Sequence, residues 1–401
     1  MKNSIYREHG DKLLFALALT VLAIILIRGA AETGRRINEA SAPPIVFTQW
    51  WEDDLEKDTL PELIKEFESL HKGIKIVLDR RPYEELRRDL FNFSETASFG
   101  DIIAIDPLWV PELQQNKIIE SRPDGNSQAP LLSFINVLFY NTEILKEAGF
   151  SRPPKSRSEF LAYARTVSGN VKNRRGLAMD GNSSRWVYDD VFPWIWAAGA
   201  ELIKDGKPAF NSRPVIESLA FLSALEREAL ISHAEPAGNK AEDFISGRAV
   251  FMIAPASYIK LLRERMGGEA FGITAVPSPD NYMGRTFFAG ATWTVGINSA
   301  SAFREEAGTF AAFLSEKALV LSEKTMVIPE EAGAPFSPDP FYSKLWDIAI
   351  AGESARDFTG LPWTELEKIF REELSALFAE KASAAETAAA IQEKISPVLG
   401  R

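Results

Sequence analysis

VLFYNTEILKEAGFSRPPKSRSEF, residues Val137 to Phe160, carries the signals of one strand and two helices in a single run. The apolar triplet Val137-Leu138-Phe139 predicts a buried strand ending at Tyr140. Asn141 then offers a side-chain oxygen to the free amides of a new helix, and Glu143 sits near that helix's positive end. Gly149 predicts the stop, because glycine adopts the left-handed conformation at little cost. Pro153 and Pro154 stiffen the link to a second helix, which Ser156 and Glu159 open at the spacing of a capping box. These residues by themselves describe an ordinary strand–helix–helix unit of an α/β domain.

Upstream, Ile45-Val46-Phe47 predicts a strand, Leu60, Leu63, Ile64 and Phe67 fall at helical spacing, and Ile74 to Leu78 returns as a second strand. A helix holding Tyr83, Leu86 and Leu90 follows, then a third strand over Ile102–Ile105. This alternation predicts a parallel sheet with crossover helices, and ligands of such sheets bind beyond the carboxyl ends of the strands. Trp50, Trp51, Asp106 and Trp109 all follow predicted strand ends and are candidates for a cleft wall. Each also has a plainer role open to it: Asp106 as a helix cap, the tryptophans as core packing.

Downstream, Gly176 to Met179 predicts a strand, and SSRWVYDDVFPWIWAAGAEL places three tryptophans within eleven residues. A helix over Asp190–Ala198, with Pro193 in its first turn, puts Asp190 and Trp194 on one face and makes Trp194 a candidate. A long amphipathic helix starts at Asn211 and runs to Leu230. Gly247 turns the chain into a strand over Ala249–Ile253, and Ser257 and Tyr258 emerge beyond its end as further ligand candidates.

Val137–Phe160 resembles the YNxxxLxxxGxxxPPxTxxEF segment of the family 1 extracellular solute-binding proteins, the carbohydrate-type receptors of ABC importers, with Ser156 in place of Thr. GDIIAIDPLWVPELQQNKII is similar to that family's PDVVxxDxxWxxxLxxxGxL, with Gly100 for Pro and Asn116 for Gly, and FISGRAVFMIAPASYI is similar to FxxGxAAMxxxGxW. The likeness runs from about Ile45 to Leu399. It implies an α/β, two-lobe periplasmic-binding-protein fold, type II-like, with hinge-linked lobes preceded by an N-terminal apolar helix. Residues 45–130 plus 278–314 are expected in the first lobe, and 131–277 plus 315–401 in the second. The resemblance further implies a small solute, a carbohydrate, passed to the permease subunits of an importer by a monomer with no cofactor and no metal. Where the family has a glycine pair against the ligand, this chain has Gly290-Ala291, with Trp293 close by as an aromatic for the second wall. Trp363 follows Gly360-Leu361-Pro362, at the place where members present an aromatic to the sugar.

A chain of 401 residues is long enough for two domains. A net charge of −11 argues against a nucleic-acid partner, which needs a basic surface. The absence of cysteine excludes disulfides, thiolate metal sites and a lipid-modified cysteine anchor. Leu13 to Ile27 is apolar save Thr20 and follows Lys2, Arg7 and Lys12, the layout of a secretory signal cleaved after Ala31. The rival is an uncleaved anchor of about 22 Å, stretched across the bilayer by snorkelling at Lys12 and Arg28. Both place the chain in the periplasm or another extracytoplasmic space, and the second adds membrane contact; residues 32–44 read as a linker.

His9, His71 and His233 are scattered, and no HExxH, phosphate-binding glycine pattern or GxSxG occurs. Asp53-Asp54 and Asp189-Asp190 leave a glycoside hydrolase as the enzymatic alternative, although adjacent acids of this kind read as solvated loops. The alternative among binding proteins is a phosphorylated or cationic solute, and Arg80, Arg81 and Arg285, near predicted strand or loop ends, keep the phosphate-bearing one open. A membrane-tethered sensor or scaffold on the same fold is the remaining alternative.

Overall fold

The computed structural model describes residues 44–92, 99–120, 132–171, 173–234, 239–288, 292–325, 327, 337–355, 357–358 and 360–399. The apolar N-terminal segment, the linker up to residue 43, Gly290 and Ala291 lie outside them. Among the described residues, no helix is long and apolar enough to cross a membrane.

Ile45–Gln49 runs parallel to Ile76–Arg80 on one side and to Ile102–Ile105 on the other. Thr292–Ile297 joins Ile102–Ile105 antiparallel, and Leu132–Ser133 closes that edge, giving a five-stranded sheet. All four residues of Ile102–Ile105 are buried, which is why the strand reads as an unbroken apolar run. Gly100, just before it, has no room for a side chain: a Cβ there would lie 2.4 Å from the Val46 carbonyl oxygen. Its N–H donates to Thr48 Oγ1 at 2.9 Å, a bond that the family's proline cannot make.

The chain leaves this sheet through Phe134-Ile135, because Leu132–Ser133 pairs in the first sheet and Asn136–Asn141 in a second. The second sheet is ordered Phe271–Thr274, Asn136–Asn141, Ala249–Pro255, Arg175–Met179, Ile231–His233. Successive side chains of Asn136–Asn141 part to its two faces. Leu138 joins a core with Phe160, Trp194 and Phe251, whereas Val137 and Phe139 join one with Phe244, Phe271 and Phe341. The chain returns to the first sheet between Thr274 and Thr292, and Ala318–Thr325 still packs against Leu132–Ser133. Pro340–Ala351, Trp363–Phe378 and Ala384–Leu399 pack on the second-sheet side.

In the opening stretch, Asn141 Oδ1 accepts from the Ile144 amide at 3.0 Å, and Gly149 has φ +87°. Ser156 Oγ accepts from the Glu159 amide, but the Glu159 carboxylate accepts from the Lys155 amide at 2.7 Å and from Arg152. The reciprocal half of the capping box is thus displaced by one residue. The helix expected over Asp190–Ala198 is split into a π-helical turn, Val187–Val191, and a short helix, Phe192–Trp196. The wider turn breaks the four-residue registry that would have put Asp190 and Trp194 on one face. The returning strand expected at Ile74–Leu78 sits at Ile76–Arg80, and Gly352–Ser354 pairs with Thr286–Phe288.

Replacing Asn141 with alanine removes the cap while leaving both cores intact. Urea unfolding of Asn141→Ala should show a loss of about 1 kcal/mol; an unchanged midpoint would mean that the cap contributes nothing here.

Candidate functional site

The carboxyl ends of the parallel strands in both sheets point at one cavity of about 430 Å³. The first sheet supplies Trp50 after Gln49, Tyr83 and Glu84 after Arg80, Asp106 after Ile105, and Trp293 on the returning strand. The second supplies Asp180 after Met179, the Ser183–Asp190 turn, and Ser257 and Tyr258 after Pro255, with Lys240 from the helix beside them. Of the residues singled out from sequence, Trp50, Asp106, Ser257, Tyr258 and Trp293 line this cavity.

The other candidates stand elsewhere. Trp51 begins a 3₁₀ turn, so it points away from its neighbour Trp50 and stacks on Trp293 with ring centroids 4.7 Å apart. Trp109 is buried behind the wall, against Trp50 and Tyr83. Trp194 packs on Phe160 and Phe221, and Trp363 on Tyr188, Phe358 and Phe370, both in the core. Asp106 performs both roles open to it: Oδ1 caps the Leu108 amide at 3.0 Å, while Oδ2 faces the cavity.

The centre of the cavity wall is Arg185, which no sequence motif flagged. Its guanidinium donates to Asp106 Oδ2 from the first sheet and, through Nε at 2.9 Å and Nη2 at 3.1 Å, to both oxygens of Asp189 from the second. Tyr83 donates its hydroxyl to Asp106 at 3.1 Å, and Asn136 donates to Asp189 at 2.9 Å. Burial pulls Asp189 up, but the two guanidinium bonds outweigh it and hold the carboxyl below the usual range. Asp106 has one guanidinium bond, and there burial wins, so its carboxyl sits above that range. Burial and the Asp106 charge keep the Tyr83 phenol protonated.

Beside this trio, Lys240 Nζ donates to Asp190 Oδ1 at 2.6 Å, and the Asp180 amide donates to Asp190 Oδ2 at 2.9 Å. Asp189 and Asp190 are only 6% and 1% exposed, which corrects their reading as a solvated loop. The π-helical turn wraps both carboxylates inward. The one available sequence signal was Arg185 four residues ahead of Asp189, the spacing of a helical ion pair. Among the described residues, no group of acids, histidines or cysteines has the arrangement of a metal site.

Further bonds join the walls. Glu84 Oε1 accepts from the Ser184 amide and hydroxyl, both at 2.9 Å. Arg87 pairs with Glu367 at 2.5 Å, and Glu112 accepts from the Thr364 amide at 3.0 Å.

Residues 53–319 match the bacterial extracellular solute-binding proteins. This chain belongs to that family. It is 20% identical over 293 residues to a probable ABC transporter-binding protein of Deinococcus radiodurans, covering 68% of this chain and 69% of that one. The GacH receptor of Streptomyces glaucescens, solved with and without acarbose, superposes with a TM-score of 0.73 at 16% identity, over 89% of this chain and 98% of its own. A maltose-bound T. maritima protein gives 0.71 at 19% identity, over 88% and 99%. UgpB of Mycobacterium tuberculosis, in complex with glycerophosphocholine, gives 0.72 at 16%, over 90% and 99%. These likenesses show that the solute-binding protein has the two-lobe α/β fold of its family.

Removing the shared cation should loosen the walls. Arg185→Ala leaves Asp106 and Asp189 buried without a counter-charge, a state that opening relieves by wetting them. Small-angle scattering of the solute-free variant should give a larger radius of gyration than the native chain, and an unchanged radius would count against the shared arginine as a clasp. Burial, only partly offset by Lys240, pushes Asp190 up to about 6 from an ordinary 3.8. Its contribution to stability is therefore complete below the ordinary value and lost as the pH rises through the folded one. Between pH of about 4 and about 6, the native chain should lose about 2 kcal/mol relative to Asp190→Asn in urea unfolding. Parallel pH profiles for the two would show that Asp190 is not held in this way.

Proposed function

We propose that this solute-binding protein takes a sugar or short oligosaccharide between its lobes and delivers it to the membrane permease of an ABC importer. The observation that carries this reading is a cavity whose two walls each present aromatic rings beside carboxylates: Trp50, Tyr83 and Asp106 on one, Trp186, Tyr258 and Asp189 on the other. Sugars have apolar C–H faces that rings cover and hydroxyl edges that carboxylates accept. The solved relatives crystallised with acarbose and maltose support the same class.

The lobe division we propose assigns residues 44–133 and 292–325 to the first lobe, and 136–274 and 340–399 to the second, one helix later than sequence alone suggested. The lobes then turn about Phe134-Ile135 and about the chain's return from the strand ending at Thr274 to the strand beginning at Thr292. A solute drives closure only through contacts that are better in the closed form, which is why groups from both walls are needed. The N-terminal segment carries the chain to the periplasm or another extracytoplasmic space, as a signal or as an anchor, and the receptor works as a monomer.

Binding without turnover fits the state of the acids, since Asp106 and Asp189 share Arg185, and Asp190 is tied to Lys240. A phosphorylated solute has less support. Arg81 pairs with Asp79 and Asp89, Arg285 with Glu353, and Arg80 borders a separate cavity.

A thermal-shift screen of the full chain against sugars and polyols should raise the melting temperature with a matching solute, because binding only the folded form adds stability by mass action. Tyr258→Ala should then weaken the affinity by about 1–3 kcal/mol, the scale of one buried ring. An aryl glycoside of the same sugar should remain uncleaved. If no sugar shifts the transition, the carbohydrate reading fails; if the glycoside is hydrolysed, the receptor reading does.

A further inference from the structure

We propose that the solute carries a positively charged amine among its hydroxyls, entering as an amino sugar or amino polyol and not as a neutral sugar. This rests on the sugar-receptor reading above and names the class of sugar. The cavity is lined by the carboxylates of Asp54, Glu84, Asp106, Asp180, Asp189 and Asp190, against two cations, Arg185 and Lys240. Arg185 is divided between Asp106 and Asp189, and Lys240 is bonded to Asp190. The protein's own cations are therefore already engaged.

Three acids remain, Asp54, Glu84 and Asp180, and the last two stand on opposite walls. Glu84 opens the Tyr83–Phe91 helix of the first-sheet side, and Asp180 follows the Arg175–Met179 strand of the second. Glu84 accepts only from the neutral groups of Ser183 and Ser184. The Ser183 amide donates to the Asp180 backbone carbonyl at 3.1 Å, and Lys240 acts on the Asp180 carboxylate only through space. Among the described residues, neither has a hydrogen bond or ion pair with a cationic side chain. Bringing the walls together thus brings two like charges toward one another in a partly dehydrated space, where repulsion is stronger than in water. A neutral sugar offers hydroxyl hydrogens to these groups but leaves their charge in place. An ammonium group offers donors and cancels charge at the same time, so it favours the closed arrangement more.

The field inside the cavity agrees with this count. Burial and the Glu84 charge together raise the Asp180 carboxyl, although Lys240 offsets part of the effect. The Tyr258 phenol is raised by burial and then by the charges of Asp54, Asp189, Asp180 and Asp190, so negative potential converges on its hydroxyl from several sides. Trp50, Tyr83 and Trp186 add ring faces, which attract cations as well as C–H groups. The same balance works against a phosphate-bearing solute.

Calorimetric titration of the full chain in detergent, with paired probes, tests the inference: glucosamine against N-acetylglucosamine, and the β-1,4 dimers of each. The amine should bind about tenfold more tightly than its acetylated twin and lose that advantage as sodium chloride screens it. Glu84→Gln keeps a side-chain oxygen for the Ser184 amide and hydroxyl and should bring the amine-to-acetylated affinity ratio, read within the same variant, to within about twofold of one. Asp180→Asn should do the same from the other wall. An acetylated twin that binds as well as the amine overturns the charge inference and leaves the sugar-receptor reading standing. If sugars bind in neither form, both fall.

Discussion

One guanidinium is shared by carboxylates from two different sheets, and much of the cavity depends on that sharing. Arg185 draws Asp106 and Asp189 to a common point, and it is itself only 12% exposed at the side chain. A buried ion group adds little net stability, because desolvating the charges offsets most of their attraction. What it supplies is geometry, since the planar fork accepts partners only in certain directions. Tyr83 and Asn136 occupy further acceptor sites on the two carboxylates, so each wall is fixed by neutral donors as well.

That arrangement explains why the cavity stays polar although aromatic rings surround it. The trio retains one net negative charge, and the Asp190–Lys240 pair adds none, so the rest of the acidity comes from acids not tied to Arg185 or Lys240. Rings behind the wall give the front row its rigidity. Trp51 stacks on Trp293 with their planes only 5° apart, and Trp109 backs Trp50. The tryptophans outside the cavity therefore still shape it, as supports for those that face it.

The architecture was largely legible from local patterns. Ile102–Ile105, Asn141, Gly149 and the strand from Ala249 all sit where apolar runs, capping chemistry and glycine's left-handed conformation placed them. Of the candidate site, the residues read from strand ends were the more secure: Trp50, Asp106, Ser257 and Tyr258 reach the cavity because parallel strands deliver their carboxyl ends to one side. Trp51, Trp109, Trp194 and Trp363 show where this signal stops. A large aromatic has the same sequence appearance on a wall and in a core, and the choice is made by the turn that follows it.

Sequence alone determined the alternation of strands and helices, the main cap and stop signals, and the family pattern, because these depend on neighbours a few residues apart. The tertiary structure decided what the charges do. Asp106 and Arg185 are 79 residues apart, and Glu84 and Ser184 are 100. No local rule couples such positions; only the packing of two sheets brings them within hydrogen-bond reach. The π-helical turn acted in the same way, taking Asp189 and Asp190 from an apparent surface loop into the dehydrated wall, where their charges needed Arg185 and Lys240.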